Sequence, residues 1–205
     1  MNWFALVGAE SPFRSRPLVL ASSSPRRKDL LESVGIPLEI VPPEVDERSD
    51  LPEDSESLVR VLAARKARAV ARTRTGGMVL GADTVVVLGG RVLGKPHDEA
   101  QAQEMLRALA GVEHRVRTGV CVEDAATGRS AECVVSTRVR FRPLTEESIV
   151  AYVASGEPFG KAGAYAIQER GRLFVEGITG DYSNVVGLPL GPSLDLIAEV
   201  LRPER

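Results

Sequence analysis

Long apolar runs are missing from this 205-residue chain, and no stretch approaches the roughly 18–20 residues that cross a bilayer. Its first residues, Met1-Asn2-Trp3-Phe4-Ala5-Leu6-Val7-Gly8, have no basic opening and too short an apolar centre for a secretion signal. The cytoplasm is therefore the expected compartment. Cysteine is scarce: Cys121 and Cys133 are the only two, with neither CxxC nor Cys/His spacing, which argues against a structural zinc site. They flank a hairpin turn at 124–129 and could face each other across two strands, so a disulfide is geometrically open. Buried thiols are the stronger expectation for a chain without an export signal. His97 and His114 have no histidine partner at metal-ligand spacing, and neither is assigned a role. Net basic charge is also absent. A formal charge of −2, with no aromatic platform interleaved among basic residues, argues against broad binding to DNA or RNA. A local basic pocket for one small anion remains compatible with it.

What is present, 43% apolar and 26% charged residues, belongs to a soluble globular protein large enough for a real core. Residues 1–16 read as an extension without a legible motif and a candidate for disorder; 17–205 read as one domain. Strand patterns at Leu18–Ala21, Leu38–Val41 and Met78–Leu88 alternate with helical patterns from Arg26 to Val34, Ser55 to Arg72 and Asp98 to Ala110. Gly89-Gly90 makes a hairpin turn into Arg91–Leu93, and long strands follow at His114–Glu123 and Ala131–Phe141. A helix is expected from Thr145 to Ala154, strand-like pieces at Tyr165–Ile167 and Leu173–Val175, and a closing helix from Pro189 to Leu201. This mixture of βα alternation and hairpins indicates an α/β fold with a mixed sheet, dividing into two lobes.

The stretch Ser22-Ser23-Ser24-Pro25-Arg26-Arg27 follows the first strand directly. Ser24 suits a helix N-cap and Pro25 the first helical position, where its missing N–H would be unpaired anyway. Hydroxyls, helix amides and guanidinium groups at one turn are suited to a polyphosphate. An ordinary cap with two solvated arginines is the plainer alternative.

Asp83 lies inside the apolar run Val79–Leu88, where an ionised carboxylate is costly unless paired, hydrogen-bonded or bound to metal. Gly81 and Ala82 are expected to clear space beside it for a ligand; a structural carboxylate is the alternative. Lys66 continues the helical ridge Leu58, Leu62, Lys66, and snorkelling past the core explains it on pattern alone. Lys95, stiffened by Pro96, is placed for phosphate contact, while Asp98 can cap the next helix. Asp46 and Glu47 form a solvated turn unless the fold brings them to Asp83, where a carboxylate cluster could hold magnesium. In Thr137–Arg142, Val139 and Phe141 are expected inward and the arginines on a solvated face. The segment from Gly160 to Gln168 lets backbone approach a flat ligand, and the Gln168 amide can meet a base edge. Asp181–Pro189 offers polar groups before an apolar strand end.

Together these motifs resemble the Maf family of nucleoside triphosphate pyrophosphatases, from about Pro17 to Leu201. The resemblance rests on Leu20–Arg27, Gly81–Val86, Lys95-Pro96, Lys161–Gln168 and Tyr182–Leu190, in that order. It implies a mixed, strongly twisted sheet flanked by helices, of the inosine-triphosphatase-like kind, with the nucleotide in a cleft between two lobes. It also implies hydrolysis to monophosphate and pyrophosphate, a divalent metal (Mg, Mn or Co), and commonly a homodimer. By the same resemblance Asp83 is the general base; Ser22, Ser24, Arg26, Arg27, Lys66 and Lys95 contact phosphates; and Arg26, Thr84 and Gln168 select the substrate. Glu47, Asp83 and Asp98 become metal-site candidates. The Ala-Gly-Ala-Tyr-Ala-Ile-Gln form is similar to the branch taking dTTP and UTP in a house-cleaning role, modified pyrimidine nucleotides included. One departure is visible: Glu169-Arg170 precede Gly171 where the family usually has glycine after the glutamine. A 7-methyl-GTP or purine-selective pyrophosphatase of related fold, and a nucleotide-binding regulator of cell division without turnover, are the competing expectations. No partner among nucleic acids or membranes is expected.

Overall fold

A computed structural model describes residues 3–7, 11–47 and 49–202. The chain forms two compact units, one from Met1–Asp83, Thr118–Val135 and Gly187–Arg205, the other from Thr84–Arg117 and Ser136–Val186. The sheet is mixed, as expected.

In the first unit, β1 (Leu18–Ala21) is buried along its whole length, which explains its continuous apolar sequence. It pairs in parallel with β2 (Leu38–Ile40) and with β3 (Met78–Leu88), in a register that sets Ala21 beside Gly81. The pleat then sorts side chains to two faces. Leu18, Leu20, Leu80 and Ala82 join Leu31 of α2 (Pro25–Ser33) and Leu194 and Ile197 of the last helix, α7 (Leu190–Leu201). Val19, Ala21 and Val79 face Ala63, Ala64, Ala67 and Val70 of α3 (Ser55–Ala71), whose N-terminus is capped by the Asp54 carboxylate.

Within the segment expected as an extension, α1 (Phe4–Val7) and residues 11–16 are described. Leu6 and Phe13 sit in the first of these clusters, and Trp3 Nε1 donates to Asp195 at 2.8 Å. Met1, Asn2 and residues 8–10 lie outside the described residues.

Three strands of the sheet, β3, β5 (Glu113–Asp124) and β6 (Ser130–Phe141), pass from one unit's residues to the other's. The strand order is β2-β1-β3-β5-β6-β7, where β7 is Val175–Thr179, and β4 (Arg91–Leu93) adds antiparallel to β3. Between β5 and β6 the turn closes through the Asp124 N–H to the Arg129 carbonyl at 2.9 Å. The two cysteines do not face each other. Cys121 packs with the α3-side cluster and Cys133 against the α7-side cluster, and both thiols are free.

In the second unit, α4 (Glu99–Leu109) packs on α5 (Glu146–Ala154), and their N-termini are capped by Asp98 and Thr145. Thr137, Val139 and Phe141 are fully buried while Arg138 and Arg140 pair outward with Glu113 and Glu176, as the alternation predicts. Three expectations are corrected. Tyr165–Ile167 is not a strand, because Gly163 and Ala164 take φ of 67° and 60° and turn the chain just before it. Arg170–Phe174 is a 3₁₀ turn, and only from Val175 does a strand begin. Tyr182–Val186 is a short helix, α6, rather than the approach to a strand. There the Asp181 carboxylate accepts from the Ser183 N–H at 2.7 Å. The buried Asn184 amide donates to Val116 O and Thr137 Oγ1, both at 3.0 Å. These bonds outweigh the β preference of Val185-Val186.

Candidate active site

Asp83 belongs to the face of β3 that also carries Val79 and Gly81, the face covered by α3. Gly81 is there for the helix. A Cβ at this position would stand 2.5 Å from the Ala63 carbonyl and 2.6 Å from the Ala67 amide. Gly119 on β5 has the same role, its would-be Cβ 2.2 Å from the Val59 carbonyl. The space beside Asp83 is thus filled by α3, which corrects the expectation that Gly81 clears room for a ligand. With the helix seated this low, Lys66, the residue between Ala63 and Ala67 on the inner side, reaches Asp83.

Lys66 does not snorkel. Its residue is 6% exposed, and Nζ lies 2.6 Å from Asp83 Oδ1 and 2.9 Å from Glu47 Oε1. The loop after β2 therefore does deliver one carboxylate to Asp83, bridged by an ammonium. The carboxylate it delivers is that of Glu47, while Asp46 Oδ1 accepts from the Ser49 amide at 3.3 Å. Among the described residues the hydrogen bond to the Asp83 carboxylate is the one Lys66 gives to Oδ1.

The Ser22–Arg27 turn leaves the carboxyl end of β1, where open parallel sheets place their ligand sites. Pro25 opens α2 as expected, but the Ser24 side chain makes no cap bond. Ser22 takes the organising role instead: its Oγ accepts from the Ser24 amide at 3.2 Å and from Arg27 at 3.1 Å. Arg27 is not a solvated neighbour, since its Nε also donates to the Gly187 carbonyl at 2.8 Å. Burial pulls its guanidinium below the ordinary arginine value, an effect opposed by the charges of Asp83 and Glu47 and reinforced by Arg26. The turn and the Lys66 cluster therefore share one electrostatic neighbourhood.

The remaining predicted residues belong to the second unit. Thr84 is half-buried on β3. Lys95 is exposed on the loop after β4, with no ion-pair partner among the described residues. Gln168 is half-buried; its side-chain amide has no partner among the described residues, while its carbonyl accepts from Arg172 at 2.7 Å. Asp98 caps α4 by accepting from the Gln101 amide at 2.8 Å, a role that accounts for it without a metal. The departure at 169 is absorbed locally, with the Glu169 carboxylate 3.6 Å from Lys161 Nζ.

Among the described residues no group of three His, Cys, Asp or Glu side chains forms a ready metal cage. Glu47 and Asp83 are the two carboxylates brought together here, with the Lys66 ammonium on one oxygen of each. Magnesium commonly takes one or two carboxylates and completes its shell with water and substrate phosphates. Sequence reasoning missed Tyr152 and Glu157. Glu157 acts across 13 and 14 residues, on the amides of Arg170 and Gly171, so no periodicity betrays it.

The family model described as Maf-like protein matches residues 17–200, a span that includes Ser22, Glu47, Lys66, Asp83 and Gln168. The chain belongs to the Maf family. Similar Maf relatives include a dTTP/UTP pyrophosphatase of Pelotomaculum thermopropionicum, 51% identical over 182 residues, covering 89% of this chain and 95% of its own length. The protein of that name from Moorella thermoacetica is 52% identical, with 88% and 93% of the two chains covered. That from Symbiobacterium thermophilum is 50% identical, with 89% and 93% covered. The Maf resemblance read from five short motifs thus holds at the level of the whole matched chain.

Proposed function

We propose that this Maf chain hydrolyses dTTP and UTP to the nucleoside monophosphate and pyrophosphate. What carries the reading is Asp83: a carboxylate on an apolar strand, paired to Lys66 at 2.6 Å in the same electrostatic neighbourhood as the Ser22–Arg27 turn. A site that only held a polyanion would gain nothing from a carboxylate there. The relatives' names supply the pyrimidine substrates.

In this reaction water attacks the α-phosphorus, the bond from that phosphorus to the bridging oxygen breaks, and pyrophosphate leaves. Asp83 orients the water and takes its proton on Oδ2, the oxygen that Lys66 does not occupy. Arg26, Lys66 and Lys95, with Ser22, Ser24 and the amides of α2, neutralise the triphosphate and the charge that grows on the leaving group. Arg27 supports the turn through Ser22 and Gly187. Glu47 and Asp83 would hold a divalent cation, Mg, Mn or Co, which when bound supplies further charge neutralisation. Arg26, Thr84 and Gln168 select the nucleotide. The same reading takes the enzyme to be a cytoplasmic homodimer; the structure contributes that no helix of the described residues is long and apolar enough to cross a membrane.

The test is pyrophosphate release from a panel of canonical and modified nucleoside triphosphates with magnesium, beside binding measured on the same samples. Turnover highest with dTTP and UTP is expected. Tight binding without release would instead favour a nucleotide-binding regulator, and a preference for GTP or 7-methyl-GTP would overturn the pyrimidine assignment.

A further inference from the structure

Gln168 sits within a loop whose two ends are pinned by one carboxylate and one phenol. Glu157 Oε1 accepts from the Tyr152 hydroxyl at 2.8 Å and from the Gly171 amide at 3.0 Å, and its Oε2 accepts from the Arg170 amide at 3.2 Å. The Tyr152 hydroxyl in turn accepts from the Ala166 amide at 3.2 Å. Burial and the Glu157 bond raise the Tyr152 pKa, so the phenol stays protonated and donating. The closure is tight: a Cβ on Gly171 would stand 2.6 Å from the Ala166 carbonyl and 2.9 Å from the Tyr152 oxygen. Residue 166 on one side and residues 170 and 171 on the other are thereby fixed, and Gln168 stands between them.

The surroundings leave its side chain available. Arg172 holds the Gln168 and Glu169 carbonyls at 2.7 and 2.9 Å, while the Gln168 amide group has no partner among the described residues. Lys161 donates to the Glu157 carbonyl at 2.6 Å and draws the Glu169 carboxylate to 3.6 Å. A hydrogen-bonding group presented on a pinned loop loses little freedom when it binds, which is how discrimination by one amide becomes strong.

We propose that Glu157, acting through the Tyr152 hydroxyl and the amides of Arg170 and Gly171, is a positioning residue that fixes Gln168 for base selection. This rests on the assignment of Gln168 to the nucleotide base.

Three variants test it: Gln168→Ala, Glu157→Gln and Tyr152→Phe, each assayed for kcat and KM with dTTP, UTP and GTP and checked by thermal unfolding. Tyr152→Phe removes the hydroxyl at nearly constant shape, so it carries the test if Glu157→Gln fails to fold. Both positioning variants should raise KM for dTTP about five- to tenfold, the scale of one misaligned hydrogen bond, with kcat held within about twofold. The preference for dTTP over GTP should fall toward that of Gln168→Ala, and adding Tyr152→Phe to Gln168→Ala should cost no further selectivity. If Gln168→Ala loses selectivity while both other variants keep it, the positioning role is wrong and the Gln168 assignment stands. A uniform fall in kcat with all three nucleotides, selectivity intact, would likewise leave only a structural role. If Gln168→Ala keeps full selectivity, the Gln168 assignment itself fails.

Discussion

Lys66 Nζ stands 2.6 Å from Asp83 Oδ1 and 2.9 Å from Glu47 Oε1, so a single buried ammonium separates two carboxylates drawn from a strand and a loop. The lysine makes a charged strand interior tolerable, and in the mechanism proposed above it determines which oxygen of Asp83 meets the water.

Replacing Asp83 by asparagine keeps the shape and the contact to Lys66 but removes the proton acceptor. Turnover of dTTP should fall by about 10²–10⁴-fold, the usual span for a general base, while nucleotide binding survives. Steady-state kinetics beside isothermal titration of nucleotide will check it; unchanged turnover would remove Asp83 from its role.

Gly81→Ala adds one methyl group against backbone atoms of α3 at 2.5 and 2.6 Å, which cannot move independently of the helix. The variant should lose about 1–3 kcal/mol of stability, the scale of an overpacked core, and lose activity beyond that, because α3 carries Lys66. Urea unfolding and kcat on the same preparation measure both effects. An alanine variant as active as the parent would show that the helix is not seated by this glycine.

His114 is 2% exposed, its Nε2 2.9 Å from the Tyr165 hydroxyl and its Nδ1 without a partner among the described residues. Burial lowers its pKa from 6.5 to about 4. The unfolded chain therefore takes up a proton that the folded chain refuses between those values. Stability from this residue is complete above about pH 6.5 and is lost as pH falls toward 4, about 2 kcal/mol by pH 5. Denaturant unfolding at pH 7.5 and 5 should show that slope, and His114→Asn should flatten it; an equal slope in both proteins would assign the acid sensitivity elsewhere.

Burial lifts the Cys121 thiol to about 12 and the Cys133 thiol to about 11. Neither forms much thiolate near neutrality, and they pack against opposite faces of the sheet. A thiol-reactive dye at pH 8 should label the folded protein slowly and the denatured protein at once, and mild oxidants should yield no internal disulfide. Rapid labelling of both sites would contradict the packing.

Much of this was legible because some physical signals are local. The apolar β1 and β3, the amphipathic α4 with its Asp98 cap, and the alternating Thr137–Arg142 strand follow from patterns a few residues long. Asp83 stood out for the same reason, a charge in an apolar run. The errors concern partners distant in sequence. Lys66 looks like a snorkelling surface residue until the loop with Glu47 and the strand with Asp83 meet it. Gly81 looks like ligand space until α3 occupies it. Tyr165–Ile167 has strand composition, yet the Ala166 amide is claimed by Tyr152 rather than by a neighbouring strand.

Arg27 and Gly187, joined at 2.8 Å, are 160 residues apart in the chain. At about 5–20 residues per second, a ribosome completes Gly187 some 8–30 s after Arg27. Throughout that interval the turn at the head of α2 exists without the carbonyl that holds its arginine. The head of α2 is thus made well before it is locked, and a nascent chain cannot present the finished turn until Gly187, 160 residues later, has been synthesised.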